Sequence, residues 1–384
     1  MATVLLATRP LTPPWDEASK NFGYFLGTAI VDHALTLLTV RGNEMLKNIP
    51  DNNSLLPVYS SAHLGLRQKW ELIATLRKQR RNFDITHYLY TPTPQNVNTV
   101  QRFAKPGRGH TVQTIATVRD DLYNAEQLQK LYFADSLVTY TRAAEAKVRA
   151  LGLSNVQTIY PGIDLSKYSP GEKNTEWLQS MNIPDAALIV SYPGEYTRLG
   201  CTDYLADWCI HFFGTEGKSA EEINQTKNVY FLWACRVKNE ADAKKKEEVR
   251  AKLAAAGVLG QVRFTDTVPD MPSLYRSSDI VAFPVFDLLG KFDVPLIIIE
   301  AYACGRSVIL SDLPNFAEFS DPSYCAIIPK GNEPALTQKI LELSQNQTYR
   351  ESLETNARAF ATKYFDGKQT AAAYSRLYTE LGPK

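Results

Sequence analysis

The sequence is poor in the features that mark several protein classes. Its 384 residues hold five cysteines, Cys201, Cys209, Cys235, Cys304 and Cys325, none in a C-x-x-C pair and none with histidines at zinc-ligand spacing. They read as reduced, mostly buried thiols of a cytoplasmic protein, not as a disulfide framework. No run approaches the roughly 20 apolar residues that span a bilayer, and the richest, 294–303, contains Glu300. Any membrane contact is therefore peripheral, at the inner membrane surface. Neither sign of charge dominates: 42 Lys plus Arg against 41 Asp plus Glu leave a net charge of +1, without the basic field that nucleic acids require. No repeat of 20 to 50 residues and no low-complexity tract occurs, which removes solenoids and propellers. No G-x-G-x-x-G follows a strand candidate, which places a dinucleotide oxidoreductase last among enzyme readings. The opening MATVLLATRPLTPPW lacks a basic n-region and a small-residue cleavage site, so it reads as a first strand and not as a signal peptide.

What is present is an ordinary globular composition, 44% hydrophobic and 22% charged, on a chain long enough for two domains of about 150 to 200 residues. Short β-branched or apolar runs alternate with longer helix-like segments, the pattern of βα units around a parallel sheet. Strands are expected at 3–7, 34–40, 85–89, 110–115, 136–140 and 156–160. After a junction at Tyr160-Pro161-Gly162-Ile163-Asp164 they resume at 187–191, 229–234, 261–264, 280–284, 308–311 and 326–328. Helices are expected at 66–80, 126–133, 202–213, 240–255, 333–345, 349–365 and 368–381, with 240–255 so charged that it reads as a solvated face. The chain is thus α/β, with a first domain over 1–165, a second over 166–365, and a C-terminal helix, 366–384, that crosses back to the first.

Ligands of open parallel sheets bind beyond the carboxyl ends of the strands, where loops meet helix N-termini. The most informative such loop is 283–305. Asp293 has the chemistry of an N-cap, Pro295 suits a first turn and Gly305 suits a stop, so a helix is expected over 294–304. Its first turn offers the N–H groups of Leu296 and Ile297 and a partial positive charge, which together suit a diphosphate. Lys291 stands just ahead, and Glu300 lies within reach of hydroxyls on whatever carries that phosphate. Taken singly, each also has a plain structural reading: a cap, a solvated lysine, an ion-paired glutamate. His87 and His110, near strand ends, read as satisfied structural residues more than as general bases.

The stretch 291–305, continued through Ser307–Asp312 to Asn315 and Glu318, resembles the donor-site signature of family 4 retaining glycosyltransferases (group 1). Further matches are the junction at 160–164, Ala134–Val138, and the ordered pieces from Val262-Arg263-Phe264 to Ser278-Asp279-Ile280, so the resemblance covers about 130–320. It implies the GT-B architecture, two Rossmann-like βα domains facing across a cleft, here with a C-terminal helical tail. Glu300 matches the second glutamate of the family's Glu-x7-Glu pair, which binds the nucleotide ribose, whereas the first position is Phe292. Asp293 or Lys291 then takes up part of the missing carboxylate's work on the transferred sugar and its phosphate. Where the family clamps the diphosphate with an Arg and a Lys, this chain has Gly194-Glu195-Tyr196-Thr197-Arg198, with Arg198 the one basic residue. Lys291 or Arg236 is the candidate second cation, Arg236 having an equally good reading as an exposed residue. Val268 completes the donor-binding set, and Ala116 stands where the family has a cleft histidine. Trp15, Asp16 and Lys20 of the first loop, with Thr117 and Arg119, are candidates to face the acceptor, although Asp16 or Ser19 serves equally as a helix cap.

The resemblance implies transfer of a sugar from a nucleotide-diphosphate donor, such as a UDP- or GDP-sugar, to an acceptor hydroxyl with retention of configuration. No cofactor is implied. No Asp-x-Asp stands in a strand-end loop, so metal independence is expected, with fixed cations in the metal's place. Catalysis would rest on Arg198, Lys291 and Asp293. A nucleotide-sugar 2-epimerase of the same architecture, and a non-catalytic partner subunit that binds sugar nucleotides, remain alternatives. The sugar, base, acceptor and oligomeric state are not encoded in any pattern read here.

Overall fold

Two sheets of parallel strands carry the chain. In the computed structural model the described residues are 1–383 except 14–16, 43–45, 80, 106, 267, 269 and 289–291. The chain divides into two units: Met1–Gly162 with Phe292–Val294 and Gly367–Lys384, and Ile163–Lys291 with Pro295–Asp366.

The first unit is built on β1 (Thr3–Leu11), β2 (Ala34–Val40), β3 (Ser54–Tyr59), β4 (Ile85–Tyr88), β5 (His110–Ile115), β6 (Ser136–Thr139) and β7 (Val156–Thr158). Their order is β3-β2-β1-β4-β5-β6-β7, with every neighbouring pair parallel. Strand order reverses between β1 and β4, the switch point of a doubly wound sheet. Central strands are buried on both faces, which is why they read as continuous apolar runs, Val4 to Ala7 among them. The edge strand β3 is not legible in the sequence. It is half exposed and contains Pro57, a residue tolerated only where no neighbour needs its N–H.

The helix Gly367–Leu381 belongs to this unit. It buries Tyr374 and Tyr378. The hydroxyl of Tyr374 lies 3.0 Å from Thr114 Oγ1, and that of Tyr378 lies 2.6 Å from His87 Nδ1. Thr370 donates to Tyr160 O at 3.0 Å, tying the start of this helix to the turn that ends the first stretch of the unit.

The second unit is built on β8 (Leu188–Tyr192), β9 (Val229–Trp233), β10 (Val262–Phe264), β11 (Ile280–Phe283), β12 (Ser307–Ser311) and β13 (Ala326–Ile328), in the order β10-β9-β8-β11-β12-β13, again all parallel. Helices Thr202–Phe213, Glu240–Ala255 and Glu333–Gln345 cover it with the ends read from the sequence. Asn239 and Asn332 cap the last two by accepting from the N–H groups of Asp242 and Ala335 at 2.9 Å each. Trp208 and Trp233 are fully buried; each removes about 200 Å² from water, which stabilises by about 5 kcal/mol before entropy is counted. Among the described residues no helix is long and apolar enough to cross a membrane.

Candidate functional site

The helix in the diagnostic loop spans Leu296–Ala303, two residues shorter at its start than expected, and its N-cap position is Pro295 with no side-chain cap. The reason is steric. A residue before proline is pushed out of the α region, so Val294 cannot enter the helix, and Pro295 itself has ψ 88°. Asp293 is therefore not the cap. It groups with the first unit, where its N–H donates to Ala116 O at 3.0 Å and its Oδ2 accepts from the Val118 N–H at 3.1 Å. Burial raises its carboxyl pKa to about 7, against the Val118 hydrogen bond and Lys147, which lower it. Phe292, in the place of the family's first glutamate, packs edge-on against Tyr140 with ring centroids 5.7 Å apart.

The N–H groups of Ile298 and Ile299 donate to Pro295 O at 2.9 and 3.3 Å. Those of Leu296 and Ile297 have no acceptor among the described residues, and both residues are partly exposed. Two backbone donors and the positive end of the helix dipole thus remain for a ligand. The far end closes with Gly305 at φ +65°: its N–H donates to Tyr302 O at 2.9 Å, and that of Arg306 donates to Ala301 O at 3.0 Å. This is a Schellman closure, as the glycine led one to expect.

Glu300 sits one turn into this helix, partly exposed, and the Tyr275 hydroxyl donates to its Oε2 at 2.9 Å. The Tyr168 hydroxyl also favours its ionised form. Its partners are hydroxyls, not the cation that a structural reading would supply. Burial raises its pKa to about 7, with the two tyrosines and Lys167 pulling the other way.

Beyond β8 the chain turns through Gly194, where a Cβ would stand 2.0 Å from the ring of the buried Tyr192; the glycine is required by that packing, whatever binds nearby. Glu195 follows with its side chain only 8% exposed. Its Oε2 lies 3.6 Å from Arg198 Nε, and its Oε1 pairs with the ammonium of Lys238 from the loop after β9. Lys238 was not singled out from the sequence, because its partner lies 43 positions away. The usable signal was Asn239, whose capping of the next helix fixes Lys238 just ahead of it. Arg236, the sequence-based candidate on this loop, is exposed and forms no ion pair with any described residue. The Val268 side chain packs on the cluster of Leu178, Ile183, Ala187, Ile189, Leu232 and Leu274.

Lys291, Trp15 and Asp16 lie outside the described residues. Lys20 is 7% exposed on the helix Ala18–Ala29, so it is buried rather than presented to solvent. That helix has Glu17 at its N-cap position with no side-chain cap bond, so Ser19, inside the helix, is not its cap. Arg119 is taken up by Asp121 through two hydrogen bonds of 2.8 Å, while Thr117 is partly exposed. His87 is fully buried, with Nε2 2.8 Å from Thr114 Oγ1, and burial lowers its pKa to about 3, which makes it a neutral structural residue. His110 is exposed at the start of β5. All five cysteines are buried and unpaired with one another. Among the described residues no group of three or more His, Cys, Asp or Glu side chains is placed to hold a metal ion.

Residues 218–346 match the family model described as "Glycosyl transferases group 1". A D-inositol 3-phosphate glycosyltransferase of Salinispora arenicola is 23% identical over 235 residues, 59% of this chain and 50% of that protein. An N,N'-diacetylbacillosaminyl-diphospho-undecaprenol alpha-1,3-N-acetylgalactosaminyltransferase of Campylobacter jejuni is 29% identical over 123 residues, 32% of this chain and 31% of that protein. The chain thus spans about half the length, or less, of these curated relatives. Among solved structures, Anabaena HepE, crystallised with UDP and glucose, superposes with a TM-score of 0.74 at 14% identity, covering 99% of this chain and 100% of that one. Residues 218–346 are thus similar to the group 1 glycosyltransferases, and the two parallel-sheet units share the GT-B fold of HepE.

Proposed function

We propose that the protein is a glycosyltransferase that moves a sugar from a nucleotide-diphosphate donor to an acceptor hydroxyl with retention of configuration and without a metal. The observation that carries this reading is the start of the helix Leu296–Ala303, where two backbone N–H groups have no acceptor among the described residues. Supporting it are the exposed guanidinium of Arg198 at the same edge of the sheet and the carboxyl of Glu300, which suits a ribose hydroxyl. That HepE was crystallised with UDP and glucose favours a UDP-sugar as donor.

In this reading the diphosphate departs from the face that the acceptor attacks, and the leaving phosphate oxygen draws off the acceptor proton. The protein supplies position and charge. Arg198 and the N–H groups of Leu296 and Ile297 stabilise the charge that grows on the leaving group, acting as donors fixed before reaction. Glycoside hydrolysis is a poorer account, because it needs two carboxylates set across the scissile bond, and Asp293 is held by the Val118 N–H within the first unit.

The test is product analysis with UDP-glucose, GDP-mannose and ADP-glucose, each with and without a panel of alcohols and inositol phosphates. Release of the nucleoside diphosphate with an α-linked product is expected, the anomeric coupling being read by NMR. A 2-epimer formed from nucleotide sugar alone would establish the epimerase instead, and nucleotide binding without turnover across the whole panel would point to a binding subunit.

A further inference from the structure

Two cations that arrive on different loops share one buried carboxylate in the second unit. Glu195, after β8, has a side chain 8% exposed, while those of its partners Arg198 and Lys238 are 48% and 38% exposed. An ordinary surface ion pair exposes both charges, and a buried carboxylate is satisfied by one good cation. Here the negative group is inside and two positive groups are outside, so Arg198 and Lys238 are the charges of this cluster that reach solvent.

Lys238 is fixed in place a second time. Its N–H donates to Asp242 Oδ2 at 3.2 Å, and the other oxygen of the buried Asp242 accepts from Thr197 Oγ1 at 2.8 Å. The loops after β8 and β9 are thereby tied at two points. The loop after β11, which leads to the helix Leu296–Ala303, joins them through the Phe286 N–H, which donates to Leu199 O at 2.9 Å. All three loops leave the carboxyl ends of adjacent parallel strands in the order β9-β8-β11, where ligands of such sheets are held. An ammonium has three donors, and among the described residues only Glu195 accepts from that of Lys238.

We propose that Lys238 contacts the phosphates of the donor, as the second cation beside Arg198, with Glu195 holding it in place. This rests on the nucleotide-sugar reading above. It replaces Arg236, which the structure leaves unanchored, and assigns the second cation to a residue two positions ahead of the helix whose sequence reads as a solvated face.

The experiment compares the full-length protein with its Lys238→Ala and Lys238→Arg variants by calorimetry with UDP, and by ligand-observed NMR with uridine, which lacks the phosphates. Lys238→Ala should weaken UDP binding by about ten- to a hundredfold, the loss of one hydrogen bond to a charged group. It should leave uridine binding unchanged, and Lys238→Arg should restore most of the UDP affinity. Unaltered UDP binding by Lys238→Ala, or an equal loss for UDP and uridine, would overturn the assignment while leaving the donor reading standing. A wild-type protein that binds none of UDP, GDP and ADP would remove the donor reading and this assignment with it.

Discussion

Replacing Glu300 by glutamine isolates the electrostatics of the candidate site in one substitution. Burial carries this carboxyl from an ordinary 4.5 to about 7. In the unfolded chain it ionises near the ordinary value, so between pH 4.5 and 7 the folded protein keeps a proton that the unfolded chain has lost. Stability contributed by this group therefore falls as pH rises through that window, and the whole penalty is present above pH 7. At 1.36 kcal/mol per unit the penalty is at most about 3 kcal/mol, and the partial exposure of the residue reduces it to about 1 to 2 kcal/mol. Glutamine keeps an acceptor for the Tyr275 hydroxyl and cannot ionise. The melting temperature of Glu300→Gln, relative to wild type, should therefore climb by several degrees between pH 5 and pH 8, at about 2 to 4 °C per kcal/mol for a domain of 150 to 250 residues. Paired thermal melts at pH 5, 6, 7 and 8 read this directly. An offset that stays the same at all four values would mean that the carboxyl ionises as an ordinary glutamate and that the desolvation argument is wrong.

Other substitutions probe separate parts of the account. Arg198→Ala should cut turnover by about 100- to 1000-fold with an unchanged melting temperature, and near-normal transfer by that variant would take Arg198 out of the site. Gly194→Ala should destabilise the second unit by about 1 to 3 kcal/mol, since the new Cβ meets the ring of the buried Tyr192 at 2.0 Å; an unchanged melt would show that the turn has room. The imidazole of His87, held between Thr114 and Tyr378, should give the NMR signature of the neutral ring down to pH 5. Because its folded pKa is depressed, acid should favour the unfolded chain progressively below about pH 6.5, and a ring that titrates near 6.5 in the folded protein would contradict the burial argument.

Much of the fold was legible because local signals agreed. Gly305 marks a helix end, helical spacing marks the covering helices, and the central strands, buried on both faces, appear as unbroken apolar runs. The edge strand β3 escaped because Pro57 and a half-exposed pattern mimic a loop. Asp293 was misread because a good cap type two residues before a proline cannot cap a helix that begins after it. Its contacts with Ala116 and Val118 join positions about 175 residues apart, beyond any linear pattern. The same limit hid Lys238, since the ion pair with Glu195 exists only once β8 and β9 lie side by side. Arg119 carried the right chemistry to face an acceptor, but its neighbour Asp121 engages it locally. Local contacts were thus readable where one loop and one helix supplied them, and unreadable where two strands had to meet.

The central claim is that the N-terminus of the helix Leu296–Ala303 receives the diphosphate of an activated sugar, and a crystal structure of the protein with UDP tests it most directly. The account requires phosphate oxygens within hydrogen-bonding distance of the N–H groups of Leu296 and Ile297. UDP bound with its phosphates away from those two amides would contradict it.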